Sequence, residues 1–239
     1  MSAVEVVALA ASVLLGGFGG LRLPSLRERY LHLVLSFSGA YLLGVTALHL
    51  LPEAFAGGAA HVGVAVLGGF VLQLCFEQLS AGVEHGHVHV HPGSRVAVPV
   101  LLGLSLHAFL EGAPLGLDAQ QLVRGEHLHE GLFLGILLHK LPAGFALGVL
   151  LRHAGYGVGA TWLGLGVFAA MSPLGAVTLG NAVPGDWAPV LLGVVIGSLL
   201  HVSTTILFEV DGAGGHRLTW AKAGAIAAGI VSALLTADV

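Results

Sequence analysis

Apolar residues fall into eight blocks of roughly 20, at about 3–20, 31–54, 61–80, 96–117, 131–151, 158–181, 188–210 and 218–237. About 20 residues of helix cross a bilayer core of ~30 Å. In lipid every backbone polar group needs an internal partner, so a run of such blocks folds as helices. Charged residues are only 9% of the 239, too few to cover a water-facing surface. The expected fold is an all-α integral membrane protein with eight transmembrane helices, residues 1–239 forming a single transmembrane domain. The first block carries Glu5 and lacks the basic start of a signal peptide, so it reads as a retained helix. Cys75, the one cysteine, can form no internal disulfide.

The basic residues orient the spans. If eight spans alternate, Arg22, Arg27, Arg29, Arg95, Arg152, Arg217 and Lys222 share one side, Arg124 lies on the other, and Lys140 is inside a span. The positive-inside rule makes the seven-residue side cytoplasmic and leaves both termini outside. Dropping one span would scramble that split, which supports the count. The expected location is a plasma (inner) membrane.

An ionisable side chain at the centre of a membrane helix costs ~2.5–3.5 kcal/mol on insertion scales, so each one needs a reason. The densest group lies in spans 4 and 5, LSLHAFLEGAPLGL and GILLHKLPAGFALG. His107 and Glu111 are four residues apart and share a helix face one turn apart. His139 on the next span can complete a three-ligand set, a common zinc arrangement that leaves a fourth position for water. Pro114 and Pro142 follow the polar residues and withdraw amides from the Leu110 and Leu138 carbonyls. Span 2 adds His49 and Glu53 in LHLLPEA, with His49 a further candidate ligand. Span 3 holds Gln73 and Glu77; span 6 holds Ser172, Pro173 and Asn181; span 7 holds His201, Ser203, Thr204, Thr205 and Glu209. The roles of Glu53, His201 and Glu209 do not follow from the sequence, and membrane Ser and Thr commonly just bond neighbouring helices.

Two polar stretches lie between spans. Residues 81–95, AGVEHGHVHVHPGSR, form a His-rich loop expected in the cytoplasm, where alternate His85, His87, His89 and His91 could capture a metal ion. LDAQQLVRGEHLHE, with Asp118, Glu126, His127, His129 and Glu130, is expected as an outer loop.

HLLPEA, HAFLEG, HKLPAG, SPLGAVTLG and the His-rich loop together resemble the ZIP (Zrt- and Irt-like protein) family of divalent metal transporters, over essentially the whole chain. The resemblance implies an eight-helix bundle with spans 4 and 5 at its centre and two three-helix units related by an inverted repeat. It also implies metal entry toward the cytoplasm and a homodimer. Members with two bound ions carry HNxxE or HNxxD in span 4 and an acid-rich motif such as HExxH or QDxxE in span 5. By that pattern His107, Glu111 and His139 match first-site ligands. Ala108, Lys140 and Ala143 stand where second-site or bridging ligands would be, so a mononuclear site is expected, with Lys140 replacing the second ion electrostatically. Water or His49 would complete the shell that Ala143 leaves short.

Zn²⁺ heads the expected substrates, with Fe²⁺, Mn²⁺, Co²⁺, Ni²⁺ and Cd²⁺ open because donor type alone does not set selectivity. The expected partners are the metal ion and the bilayer; no organic cofactor or nucleic acid is called for. Cation diffusion facilitators use similar His and acid spacings but are expected to have six spans and a cytoplasmic domain. An intramembrane zinc hydrolase lacks its usual signatures here, since neither HExxH nor GxSxG occurs. A metal sensor or storage protein that binds without conducting is the remaining alternative.

Overall fold

The computed structural model describes residues 1–23, 25–56, 61–80, 97–117, 125–208 and 219–236, with backbone alone for 25–29, 80 and 125–128. His85, His87, His89, His91, Asp118, Arg124 and Glu209 lie outside the described residues. The described residues are nearly all helical, with no strand among them. The helices are α1 (Ala3–Arg22), α2 (Ser25–Val45, then a π-helical turn Thr46–Leu50 and Leu51–Phe55), α3 (Val62–Ser80) and α4 (Ala97–Gly112, then a 3₁₀ turn Ala113–Gly116). They continue with α5 (Gly125–His153), α6 (Val158–Gly175, then a π-helical turn Ala176–Gly180), α7 (Ala188–Phe208) and α8 (Trp220–Thr236). Among them, seven are long and apolar enough to cross a membrane, and the eighth is the 17-residue α8.

Local chemistry sets the ends. Ser2 and Glu5 form a capping box on α1: Ser2 Oγ accepts from the Glu5 amide at 3.3 Å and Glu5 Oε2 accepts from the Ser2 amide at 2.6 Å. Leu23 leaves the helical region where Pro24 follows in the sequence. Residues from Ser25 are already helical, so the break between the first two helices is shorter than the gap between the apolar blocks 3–20 and 31–54. At the end of α5, Gly155 takes φ 89° and the Tyr156 amide reaches back to the Leu151 carbonyl at 3.0 Å. That left-handed closure is open to glycine and turns the chain into α6.

The helices pack as pairs: α1 with α5, α4 with α6, α3 with α7, and α2 with α8. Glycines let their backbones approach. At the α1–α5 seam a Cβ on Gly16 would lie 2.0 Å from the Leu141 carbonyl oxygen, and one on Gly144 would lie 2.4 Å from that of Val13. Gly20 faces Phe145 and Gly148 faces Gly17, so contacts advance in the same direction along both helices. This is the small-xxx-small packing of parallel membrane helices. The other seams also run parallel, as Val62 with Gly193 and Val66 with Gly197, Phe109 with Gly175 and Ala113 with Gly180, and Phe37 with Gly229 and Gly44 with Ala233 show. Parallel partners must be spans of the same parity, so the pairing independently agrees with eight alternating crossings. Exchanging the first and last three helices, and α4 with α5, turns the α1–α5 seam into α4–α6 and α3–α7 into α2–α8. The packing therefore carries the inverted repeat that the sequence barely hints at.

Further contacts join α1 to α6 and α2 to α7, and likewise α3 to α4 and α2 to α5, so that a group of α1, α4, α5 and α6 packs closely on another of α2, α3, α7 and α8. Val13, Leu104, Ala108, Ala143, Leu147 and Phe168 are buried together inside the first group.

Overpacking the tight seam should be costly. Gly16→Val is expected to destabilise the protein by about 1–3 kcal/mol and to lower its thermal midpoint in detergent. Gly68→Ala, where a Cβ meets nothing within 4 Å, should leave the midpoint unchanged or raise it. Equal losses in the two variants would contradict the seam.

Candidate metal site

His107 and Glu111 stand one turn apart on the buried face of α4, and His139 and Lys140 lie on α5 opposite them. All four residues are at most 2% exposed, so a charge on any of them needs a partner close by. Lys140 Nζ is 2.7 Å from Glu111 Oε1 and sits 4.6 Å from the centre of the Phe168 ring. The second carboxylate oxygen, Oε2, faces His107 Nε2 at 3.4 Å. Ser172 on α6 donates its hydroxyl to the Ala108 carbonyl at 2.7 Å and lies 3.3 Å from Glu111 Oε1.

The 3.4 Å separation is longer than an N–H···O hydrogen bond of 2.7–3.2 Å. Two donors each about 2.1 Å from a tetrahedral zinc ion are themselves roughly 3.4 Å apart. His107 and Glu111 are thus spaced as ligands are spaced. The His139 ring stands edge-on to that of His107 with centroids 6.3 Å apart, whereas two imidazoles on one tetrahedral ion have centroids roughly 5 Å apart. Among the described residues no three His, Cys, Asp or Glu side chains are close enough to hold one ion as they stand. An approach of about 1 Å by His139 would be needed. Neither ring nitrogen of His139 has a hydrogen-bond partner among the described residues, although both are buried. Leaving such a group unmade costs ~1–3 kcal/mol, a cost that a bound water or an ion would remove.

Other sequence candidates are distributed around this centre. His49 lies in the π-helical turn of α2, its ring facing Gly131 of α5, where a Cβ would come within 3.5 Å. Gly131 is eight residues before His139, about 12 Å along the helix axis. Glu53, one turn further along α2, is buried. Ala108 and Ala143 pack in the apolar cluster of the first helix group. α5 continues unbroken through Pro142, while α4 gives way to the 3₁₀ turn beside Pro114.

One expectation changes with the fold, and contacts appear for residues whose roles the sequence left open. His129 and Glu130 are in α5 rather than in an outer loop, because His129 Nε2 pairs with Glu5 Oε1 at 2.8 Å and extends the helix along α1. His201 pairs with Glu77 across the α3–α7 seam and meets Phe70 edge-on, with ring centroids 4.9 Å apart. Thr204 and Thr205 bond carbonyls of their own helix, at Leu200 and His201.

The sequence reading passed over Ser198. Its hydroxyl donates to Gln73 Oε1 at 2.8 Å, and that oxygen lies 2.9 Å from His107 Nδ1. Ser198 is three residues before His201, on the same face of α7, and that spacing is the signal that could have found it.

Comparison with known proteins agrees with this architecture. The family model described as ZIP Zinc transporter matches residues 83–237. The zinc transporter ZIP9 of Micropogonias undulatus is 32% identical over 170 residues, covering 66% of this chain and 54% of that protein. Zinc transporter ZIP9-B of Xenopus laevis is 36% identical over 119 residues, 48% of this chain and 38% of that one. Protein zntC of Dictyostelium discoideum is 28% identical over 131 residues, 51% of this chain and 30% of that one. The chain spans about half the length, or less, of these relatives. With its apolar helices, this is an integral multi-pass membrane protein. The family match covers well over half of the 239 residues, including α4 and α5 with their buried polar cluster, and the chain belongs to the ZIP zinc transporter family.

Proposed function

We propose that this protein carries a divalent transition metal, zinc first, across the membrane toward the cytoplasm through one ion site on α4 and α5. The observation that carries the reading is the buried, unbonded imidazole of His139 beside a His107–Glu111 pair at ligand spacing. Three such donors suit zinc and leave a coordination position for water during exchange. The names of the relatives from Micropogonias undulatus and Xenopus laevis, zinc transporters, support the same cargo.

A single ion follows from what surrounds Glu111. Its Oε1 is taken by the Lys140 ammonium, and Ala108 and Ala143 offer no donor atoms. A second divalent ion there would have to displace a tethered cation from a buried carboxylate. Orientation rests on the basic residues: Arg22 and Arg152 end the parallel helices α1 and α5, and Lys222 begins α8 on that same side. The positive-inside rule makes that side cytoplasmic, with both termini outside in a plasma (inner) membrane. The His-rich segment 81–95 would then receive the ion, with His85, His87, His89 and His91 as its acceptors.

Proteoliposomes loaded with a zinc indicator test the transport site. Wild type should take up zinc, and His107→Ala and Glu111→Ala should each reduce the rate at least ~10-fold, as loss of a ligand or its support commonly does. Equal flux in the three proteins would remove the site from the pathway. Metal analysis of a protein lacking the four loop histidines should find one ion per chain; two retained ions would refute the mononuclear reading.

The ion pair itself is testable through stability. Lys140→Met strands the Glu111 carboxylate in the bundle and should cost ~3–5 kcal/mol, the usual loss when one member of a buried pair is removed. Adding Glu111→Gln should recover roughly half or more of that loss, because the stranded charge is gone. Additive losses in denaturant unfolding would show that the two side chains are not coupled.

A further inference from the structure

We propose that Gln73 is a positioning residue that holds His107 in the Nδ1–H tautomer, so that Nε2 presents its lone pair to the metal. The inference rests on the reading of His107 and Glu111 as ligands and adds what selects the ligating nitrogen. A neutral imidazole has one N–H and one lone pair, and the hydrogen bond at one nitrogen decides what the other can do.

Gln73 on α3, Ser198 on α7 and His107 on α4 are all buried. Gln73 Oε1 is 2.9 Å from His107 Nδ1 and 2.8 Å from Ser198 Oγ. An amide oxygen has two lone pairs. One accepts the Ser198 hydroxyl and the other accepts Nδ1–H, so both are used. The opposite tautomer would send Nε2–H toward Glu111 Oε2 across 3.4 Å, beyond good hydrogen-bond range. In the Nδ1–H tautomer that same gap separates two lone-pair donors, which is the separation an ion between them requires.

The residues that choose the ligating nitrogen belong to the second helix group, whereas the ligands belong to the first. Gln73 therefore does not touch the cargo. It acts through the imidazole, across the boundary between the two groups.

The test uses the full chain in nanodiscs, with ¹⁵N-labelled histidine, metal-free and at a pH above the ordinary imidazole range. Long-range ¹H–¹⁵N spectra report the tautomer directly, and the signal missing from His107→Ala assigns His107. Zinc affinity is measured in a background with the four loop histidines replaced by alanine. Wild type should show Nδ1–H at His107. Gln73→Leu should shift it toward Nε2–H and weaken zinc binding ~10–100-fold, the usual effect of losing such a partner. Gln73→Glu keeps an acceptor facing Nδ1, so it should keep the wild-type tautomer and bind zinc at least as tightly as wild type. A wild-type His107 in the Nε2–H form would overturn the proposal without any variant. So would Gln73→Leu with wild-type tautomer and affinity, or Gln73→Glu behaving like Gln73→Leu. Zinc binding unchanged in His107→Ala is a separate result, which would overturn the ligand assignment itself.

Discussion

The ion pair between Glu111 and Lys140 is the constraint around which the centre of this bundle is arranged. Neither charge can be left alone at that depth, since an unpaired buried ion costs several kcal/mol. The pair forces α4 and α5 to meet with Glu111 Oε1 against the Lys140 ammonium, and it leaves Oε2 turned to His107. Phe168 lies beneath the ammonium, adding an attraction that survives in a dry site. One carboxylate thus serves two purposes. One oxygen anchors a cation belonging to the protein, and the other remains beside an imidazole, where the proposed metal ion would bind.

Holding such a pair in register requires stiff helices in close contact, and the glycine seams provide that. α5 is clamped to α1 at Gly144 and Gly148, one and two turns past Lys140, and α4 is clamped to α6 next to Glu111 through Gly112. Backbones this close leave little room for sliding, so the polar side chains inherit the precision of the seams. The second helix group meets the first through α3 on α4 and α2 on α5. It is there that Gln73 and Ser198 reach His107. The proposed ligands stand on α4 and α5, and the proposed tautomer control reaches His107 from α3 and α7.

Much of this was legible in the sequence because single-helix properties are written in it. Apolar block length marked the spans, and His107 with Glu111 disclosed a shared face through their spacing of four. What stayed hidden depends on register between helices. Nothing in the period of α3 or α7 says that Gln73 stops opposite His107, or that Ser198 shares its oxygen. His129 looked like a loop residue because it lies in a polar stretch, yet its bond to Glu5 carries α5 outward beyond the apolar block. The π-helical turn that holds His49 has no marker in LHLLPEA beyond the proline that follows.

The substitution at Ala143 is the hardest feature to reconcile with a metal path, and its surroundings account for it. The residue is buried among Val13, Leu104, Ala108, Leu147 and Phe168, an apolar wall continuous with the α1–α5 seam. An acid there would need its own counter-charge, and Lys140, three residues earlier on α5, already serves Glu111. By the family pattern, alanine in place of an acid and lysine in place of a neutral ligand would together remove one negative charge and supply one positive charge, the same change in charge that a second divalent ion would bring. The Glu111–Lys140 pair leaves no net charge at the centre, and an ion binding at the proposed site would meet His107, His139 and Glu111 Oε2 against the pull that Lys140 exerts on the same carboxylate.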